Sequence, residues 1–253
     1  MKWYKRDQHF LTDERVLKRI VEYGRLNSSD TVLEIGAGFG NLTDELAKKV
    51  GKVIAVEADT ELAKTLNRWE NVEVITKDVL KIEFPPFNKV ISNLPYSISS
   101  PVTFKLLKYK FDFGILMYQY EFARRMAALP GNKDYGRLSI AVQYFADAEI
   151  IEIVPASSFS TMPQVRSAIV RLVPRPAHYK VEDEDFFMKF IRAAFSQRRK
   201  KLRNAILNNA DFLGLTENAL EKLPVEYAGR RAETLSPEEL AELAHKLWKE
   251  KLK

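Results

Sequence analysis

The tetrapeptide Asn93-Leu94-Pro95-Tyr96 follows the apolar run "KVIS" and places an amide, a proline and an aromatic ring at the end of a strand-like segment. One reading is a plain turn: proline fixes its own φ and holds Leu94 extended, and asparagine is a common turn residue. The other reading is chemical, and the tetrapeptide alone does not choose between them. A second candidate is "EIGAGFG", residues 34–40. Its glycines at 36, 38 and 40 let the backbone turn sharply and approach a ligand closely, and a helix start behind them favours negative charge. A dinucleotide fingerprint wants its third glycine at 41, where this chain has Asn, and the absence of Gly-Lys-Ser/Thr excludes a P-loop. With Glu34 ahead of it, the loop suits a nucleoside carrying an amino-acid tail better than a pyrophosphate. Glu57 ends the next apolar run and is placed to take hydrogen bonds from a ribose diol. Asp78, in "TKDV", can accept from an exocyclic amine such as that of adenine. Each acid alone reads as a solvated loop residue.

The elements that must position these groups make them one set. "TVLEI" (31–35), "KVIAVE" (52–57), "VEVIT" (72–76), "KVIS" (89–92) and "FGILMY" (113–118) are short and rich in Val and Ile, as buried parallel strands are. Between them "NLTDELAKKV" and "TELAKTLNRW" carry helical apolar spacing, and "SSPVTFKLLK" starts with serine before a first-turn proline. The alternation predicts an α/β fold, a doubly wound Rossmann-like sheet. The glycine loop, Glu57, Asp78 and Asn93 then fall at the carboxyl ends of successive strands, the edge where such sheets bind ligands. "AEIIEIV" (148–154) and "SAIVRLV" (167–173) predict a closing hairpin. Past "PRPAH" the strands stop. "VEDEDFFMKFIRAAF" and "SPEELAELAHKLWKE" are helical, the latter with Ser236 and Glu239 spaced as a capping box. A boundary near residue 177 is expected, with a small all-helical domain over 178–253.

Composition narrows the class. With 46% hydrophobic and 29% charged residues in 253, the chain reads as an ordinary globular protein with a sizeable core. No apolar run reaches membrane-spanning length and the first residues lack a signal-like apolar stretch, so a cytoplasmic protein is expected, with no membrane partner. The lack of cysteine excludes disulfides and thiolate chemistry, and three scattered histidines argue against a metal site. The net charge of +6 is local: residues 186–208 hold seven Lys or Arg and no acid, and without them the rest of the chain falls to −1. That concentration points to a polyanion-binding surface.

The combination is specific. "QHFL" (8–11), "EIGAGFG", Glu57, Asp78, "NLPY", "SFSTMPQVRSA" (158–168) and "FSQRRKKLRN" (195–204) run in order over nearly the whole chain. In these motifs the chain resembles the ribosomal RNA adenine N6,N6-dimethyltransferase family, which includes the bacterial KsgA enzymes. The resemblance implies S-adenosyl-L-methionine as methyl donor and two adjacent adenosines near the 3′ end of small-subunit rRNA as target. It also implies action on the small ribosomal subunit, a link to its biogenesis, and a monomer. His9 and Leu11 would close over the cofactor, with Gly36 and Gly38 lining it. Glu57 would hold the ribose, Asp78 read the adenine, and Asn93 touch both cofactor and target. Two departures stand out: His9 replaces the Asn usual in bacterial members, and Thr161 and Arg166 replace the frequent Pro and Asp.

Under that resemblance the tetrapeptide becomes an amine clamp. Adenine N6 is a poor nucleophile because its lone pair is delocalised into the ring. The Asn93 side-chain oxygen and the Leu94 carbonyl can each accept one N6 hydrogen and draw the nitrogen toward tetrahedral geometry. Pro95 keeps the carbonyl aimed. Tyr96 offers a stacking face for a splayed-out base, with Phe159 a candidate for the other side. For the RNA backbone the expected contacts are Arg192, Arg198, Arg199, Lys200, Lys201 and Arg203. On one helix Arg192, Arg199 and Arg203 share a face; Arg198 and Lys201 do not fit it, so a break near Gln197 is expected.

Three rivals remain. A DNA adenine methyltransferase shares the clamp chemistry but needs a sizeable base-reading domain, and fewer than 80 residues follow the boundary. A non-catalytic ribosome-assembly or transcription factor could keep the cofactor fold, though an intact "NLPY" speaks against it. A large-subunit rRNA adenine methyltransferase is closest, and motifs alone separate it poorly.

Overall fold

The computed structural model describes residues 9–216 and 223–252; Gln8 of the "QHFL" motif lies outside them. The chain divides into two compact units, one holding the residues up to Ala123 with Ala146–Arg175, the other holding Arg124–Phe145 with Pro176 onward.

The first unit is built on a seven-stranded sheet in the order β3-β2-β1-β4-β5-β7-β6. Its strands are β1 Thr31–Ile35, β2 Lys52–Glu57, β3 Val72–Thr76, β4 Lys89–Asn93, β5 Phe113–Gln119, β6 Ala146–Val154 and β7 Ser167–Pro174. The first five are parallel, and β7 and β6 close the sheet antiparallel. The central strands bury nearly every side chain because helices cover both faces, which is why they read as unbroken apolar runs. Chain order reverses beside β1, which has β2 on one side and β4 on the other. The crevice at that switch point is where an open α/β sheet receives a ligand. Both the glycine loop after β1 and the tetrapeptide at the end of β4 open into it.

The helices of this unit are α1 Glu14–Tyr23, α2 Asn41–Ala47, α3 Thr60–Lys64 and α4 Ser99–Leu106, with α5 Tyr120–Met126 starting here. Two are shorter than their apolar spacing predicts. Past α3 the chain leaves the helix so that Arg68 reaches Asp44 at 3.2 Å and the Trp69 indole donates to the same carboxylate at 3.1 Å. Past α2, the Ala47 and Val50 carbonyls accept from the Asn71 amide instead of continuing the helix. At the opposite edge of the sheet Lys89 and Asp30 form an ion pair at 2.8 Å, both side chains buried. The Lys89 ammonium also donates to the Arg25 carbonyl, and Asn88 donates to Asp30.

The second unit is helical: α6 Arg137–Phe145, α7 Glu184–Ala194, α8 Leu202–Leu207, α9 Ala210–Leu213, α10 Val225–Ala228 and α11 Pro237–Lys251. Phe187, Phe190, Leu202, Leu240 and Leu247 form its core. Ser236 and Glu239 make the expected capping box. The expected boundary left 124–145 with the sheet, whereas this segment packs with the helical unit. Tyr135 and Ile140 are fully buried in that core, and the Tyr135 hydroxyl donates to the Leu235 carbonyl at 3.1 Å.

The basic segment is not one helix. α7 stops at Ala194, the Ser196 hydroxyl donates back to the Ala193 carbonyl, and the Leu202 amide is taken by the Arg230 carbonyl. The expected break near Gln197 is present, and because of it Arg192, Arg199 and Arg203 do not share a helix face, which corrects that part of the expectation. Arg192 ends α7, Arg199 and Lys200 lie in the connection, Lys201 caps α8 and Arg203 stands on it. Among the described residues no helix is long and apolar enough to cross a membrane, and no group of His, Asp or Glu could hold a metal ion.

Candidate active site

A cleft of about 1040 Å³, counted out to its open mouth, lies at the carboxyl edge of the sheet in the first unit. It gathers most of the residues the sequence singles out: His9, Leu11, Gly36, Gly38, Glu57, Asp78 and the whole tetrapeptide line it.

The two loops at the switch point are built against each other. Gly36 has φ +73°, and a side-chain carbon there would come within 2.9 Å of the Pro95 ring. Only glycine permits both that conformation and that approach. Gly38, φ +58°, points its amide at the Glu57 carboxylate, 2.9 Å away, and the other Glu57 oxygen accepts from the Asp59 amide at 2.9 Å. Glu57 is thus held rigid, and each oxygen keeps a lone pair for a further donor. Asp78 accepts from the Leu80 amide at 3.0 Å and caps a single 3₁₀ turn, which fixes its carboxylate at the cleft wall. Glu34 is buried and takes a 2.6 Å hydrogen bond from the Thr43 hydroxyl. Burial pushes its carboxyl up to about 8, with Asp44 and Glu57 adding in the same direction and Thr43 opposing them.

Asn93 is the unusual member. Its amide nitrogen donates to the His9 carbonyl at 3.1 Å, while its side-chain oxygen is buried without a hydrogen-bond partner. An orphaned buried acceptor costs about 1–3 kcal/mol, a cost that a donor brought by a ligand would remove. Leu94 is buried and its amide donates to the Met117 carbonyl at 3.3 Å, which anchors the tetrapeptide to β5. The Tyr96 hydroxyl meets the Ser167 hydroxyl at 2.5 Å, and its ring lies 5.3 Å from the His9 ring.

A strap of His9, Phe10 and Leu11 crosses the cleft. It is pinned by the His9 Nδ1 contact with the Thr161 carbonyl at 2.7 Å, the Asn41 amide on the Leu11 carbonyl at 2.8 Å, and the Ser160 amide on the Phe10 carbonyl at 2.9 Å. The Phe10 ring packs 4.5 Å from Phe39 and lies where a side chain on Gly38 would sit. At the second departure from the family pattern, Thr161 serves through its backbone, and the Arg166 guanidinium lies 4.8 Å over the Tyr120 ring.

One expected site residue is not brought to the cleft. Phe159 is 4% exposed, bridges to Leu11 through its backbone, and packs into the core with Val154 and Ile169. Its ring supports the strap from behind and does not present a face to a base. Sequence reasoning in turn missed Asn41, Phe39 and Ser167. Asn41 carried a signal, but only as the residue that spoils a dinucleotide fingerprint. Arg199, Lys200, Lys201 and Arg203 are exposed on the second unit, and Arg198 is engaged by the Lys133 carbonyl and Glu233.

A doubly wound sheet with a ligand cleft at its switch point, an acid at the end of β2 and an amide tetrapeptide at the end of β4 defines the class of Rossmann-like methyltransferases. Residues 4–235 match the family model described as ribosomal RNA adenine dimethylase, and the chain belongs to that family. By that membership it is an rRNA adenine methyltransferase. Among curated proteins it is 55% identical, over 96% of this chain and 92% of the other, to a Methanosarcina acetivorans protein named "Probable ribosomal RNA small subunit methyltransferase A". A protein of the same name from Thermococcus sibiricus is 42% identical over 97% of this chain and 92% of its own. Among solved structures a dimethyladenosine transferase from Plasmodium falciparum superposes with a TM-score of 0.77 at 30% identity, covering 94% of this chain and 96% of that one. The 23S rRNA methyltransferase ErmE superposes at 0.69 with 29% identity, covering 94% and 99%.

Proposed function

We propose that this protein uses S-adenosyl-L-methionine to dimethylate N6 of two adjacent adenosines in a hairpin loop near the 3′ end of small-subunit rRNA. It acts in the cytoplasm on the small ribosomal subunit as part of its biogenesis. The observation that carries this reading is the Asn93 side-chain oxygen, buried and unpartnered at the cleft.

The residues present fit the cofactor. Gly36 and Gly38 leave room for a ligand against the backbone, Glu57 keeps lone pairs for a ribose diol, and Asp78 can accept from an adenine amine. His9 and Leu11 cover the same cleft from the strap. When bound, the cofactor supplies an electrophilic sulfonium methyl group. The chain's own residues prepare the nucleophile. Asn93 Oδ1 and the Leu94 carbonyl accept the two N6 hydrogens and localise the nitrogen lone pair. Pro95 stiffens the carbonyl's direction, and the Tyr96 ring, fixed by Ser167, stacks on the extruded base. No strong base is needed, because the amine becomes acidic on methylation and releases its proton to water. Positioning does most of the rest. Exposed Arg199, Lys200, Lys201 and Arg203 contact RNA phosphates.

A second reading, methylation of large-subunit rRNA, is favoured by the resemblance to ErmE. The higher identity to the small-subunit relatives, 55% against 29% for ErmE, supports the first reading over this one. The test is to supply labelled methyl donor with small subunits, large subunits, bare rRNA and DNA, and to map the label. Paired dimethyladenosines in small-subunit rRNA are expected. Label confined to large subunits or DNA would replace this reading, and no label on any of them would favour a non-catalytic assembly factor.

A further inference from the structure

Arg125, Arg137, Arg192 and Arg198 line one pocket of the helical unit, together with Asp134 and Ser196. Arg125 stands in the last turn of α5, Arg137 opens α6, Arg192 ends α7 and Arg198 follows it, so separate stretches of chain bring the guanidinium groups together. The pocket's acid is already occupied, since Arg124 pairs with Asp134. Arg198 is occupied too, donating to the Lys133 carbonyl at 2.7 Å and to Glu233 at 3.1 Å. The other three arginines have no ion-pair partner among the described residues, and Arg192 lies 5.2 Å over the Phe212 ring.

The spacing is fixed by backbone. The Ser139 hydroxyl donates to the Arg125 carbonyl at 2.5 Å and accepts from the Gly136 amide at 3.1 Å. It thereby ties the end of α5 to the start of α6, which holds the backbone positions that carry Arg125 and Arg137 at one pocket. Like charges held together without a counter-charge favour an anion, and a guanidinium fork matches phosphate oxygens in pairs.

We propose that this pocket holds a phosphate group of the RNA backbone, so that Arg125 and Arg137 join Arg192 as RNA-binding residues. The inference rests on the rRNA substrate proposed above. It adds two arginines from a segment that carries no basic run and would not be found by charge counting.

The test compares the unmutated protein, the double variant Arg125→Gln/Arg137→Gln, and a control losing the same charge elsewhere, Lys18→Gln/Lys64→Gln. RNA affinity is measured on a small-subunit rRNA fragment across a salt series, with S-adenosyl-L-methionine affinity in parallel. The arginine variant should bind RNA about tenfold or more weakly at moderate salt, with a salt slope shallower by up to about two units. Its cofactor affinity should be unchanged, and the lysine control should lose about twofold at most. RNA affinity and slope equal to the unmutated protein's overturn the pocket and leave the rRNA reading standing. Equal losses in both variants also overturn it, because net charge then explains the effect. An unmutated protein that binds cofactor but no rRNA overturns the substrate reading and this inference together.

Discussion

Asn93 and His9 are joined through the amide nitrogen of one and the main-chain carbonyl of the other, 3.1 Å apart. This bond decides which end of the amide is left for a ligand. With the nitrogen committed to the strap, the oxygen is the atom offered, and it is the one without a partner. The acceptor of the proposed amine clamp is therefore oriented by the same strap that lines the cleft.

The cofactor half of the cleft is tested through its two acids. Glu57→Ala and Asp78→Ala should each weaken S-adenosyl-L-methionine binding by roughly 1.5–3 kcal/mol, the range for a hydrogen bond to a charged group. Calorimetry measures the affinity, and circular dichroism checks that the fold survives. Unchanged affinity in both variants would remove the cofactor assignment.

Much of this was legible in the sequence. The strands of the parallel sheet, the closing hairpin and the capping box at Ser236 follow from local periodicity and capping chemistry. The gathering of the glycine loop, Glu57, Asp78 and Asn93 follows from the rule that βα loops share one edge. What escaped depends on contacts distant in sequence. Phe159 looks like a stacking ring until Leu11 pairs with its backbone and turns it into core. The 124–145 segment precedes the expected boundary near residue 177, and its place in the helical unit shows only once Tyr135 is seen inside the helical core. The break in the basic run was legible in the misfit of Arg198 and Lys201; what its periodicity does not reveal is that the Leu202 amide is bonded by the Arg230 carbonyl.

Glu34 makes stability depend on pH in a defined direction. Its carboxyl stands at about 8 in the fold against 4.5 ordinarily, because burial disfavours the charge. The folded state therefore binds more protons than the unfolded one between those values, and this group's contribution to stability is lost as pH rises from 4.5 to about 8. Glu34→Gln, which cannot ionise, should flatten the urea-unfolding stability across that window by an amount on the order of a few kcal/mol. An identical pH profile in the two proteins would contradict the assignment.

The buried pair at the other edge of the sheet is structural. Lys89→Met leaves the Asp30 charge buried and should cost about 3–5 kcal/mol in urea unfolding. Cofactor affinity of the folded variant should be unchanged, since the pair stands at the far ends of the strands. A loss below about 1 kcal/mol would mean that water or Asn88 compensates the charge.

The amine clamp is tested most directly by single-turnover methyl transfer to small-subunit assembly intermediates, with S-adenosyl-L-methionine saturating and subunit binding measured alongside. Tyr96→Ala should lose base stacking worth roughly 1–3 kcal/mol. Asn93→Ala should lose more, about a hundred- to a thousand-fold in the rate of transfer, because its acceptor is aimed where the amine changes geometry. Subunit binding should hold in both variants, since phosphate contacts elsewhere supply most of it. A transfer rate for Asn93→Ala equal to that of the unmutated protein would contradict the clamp.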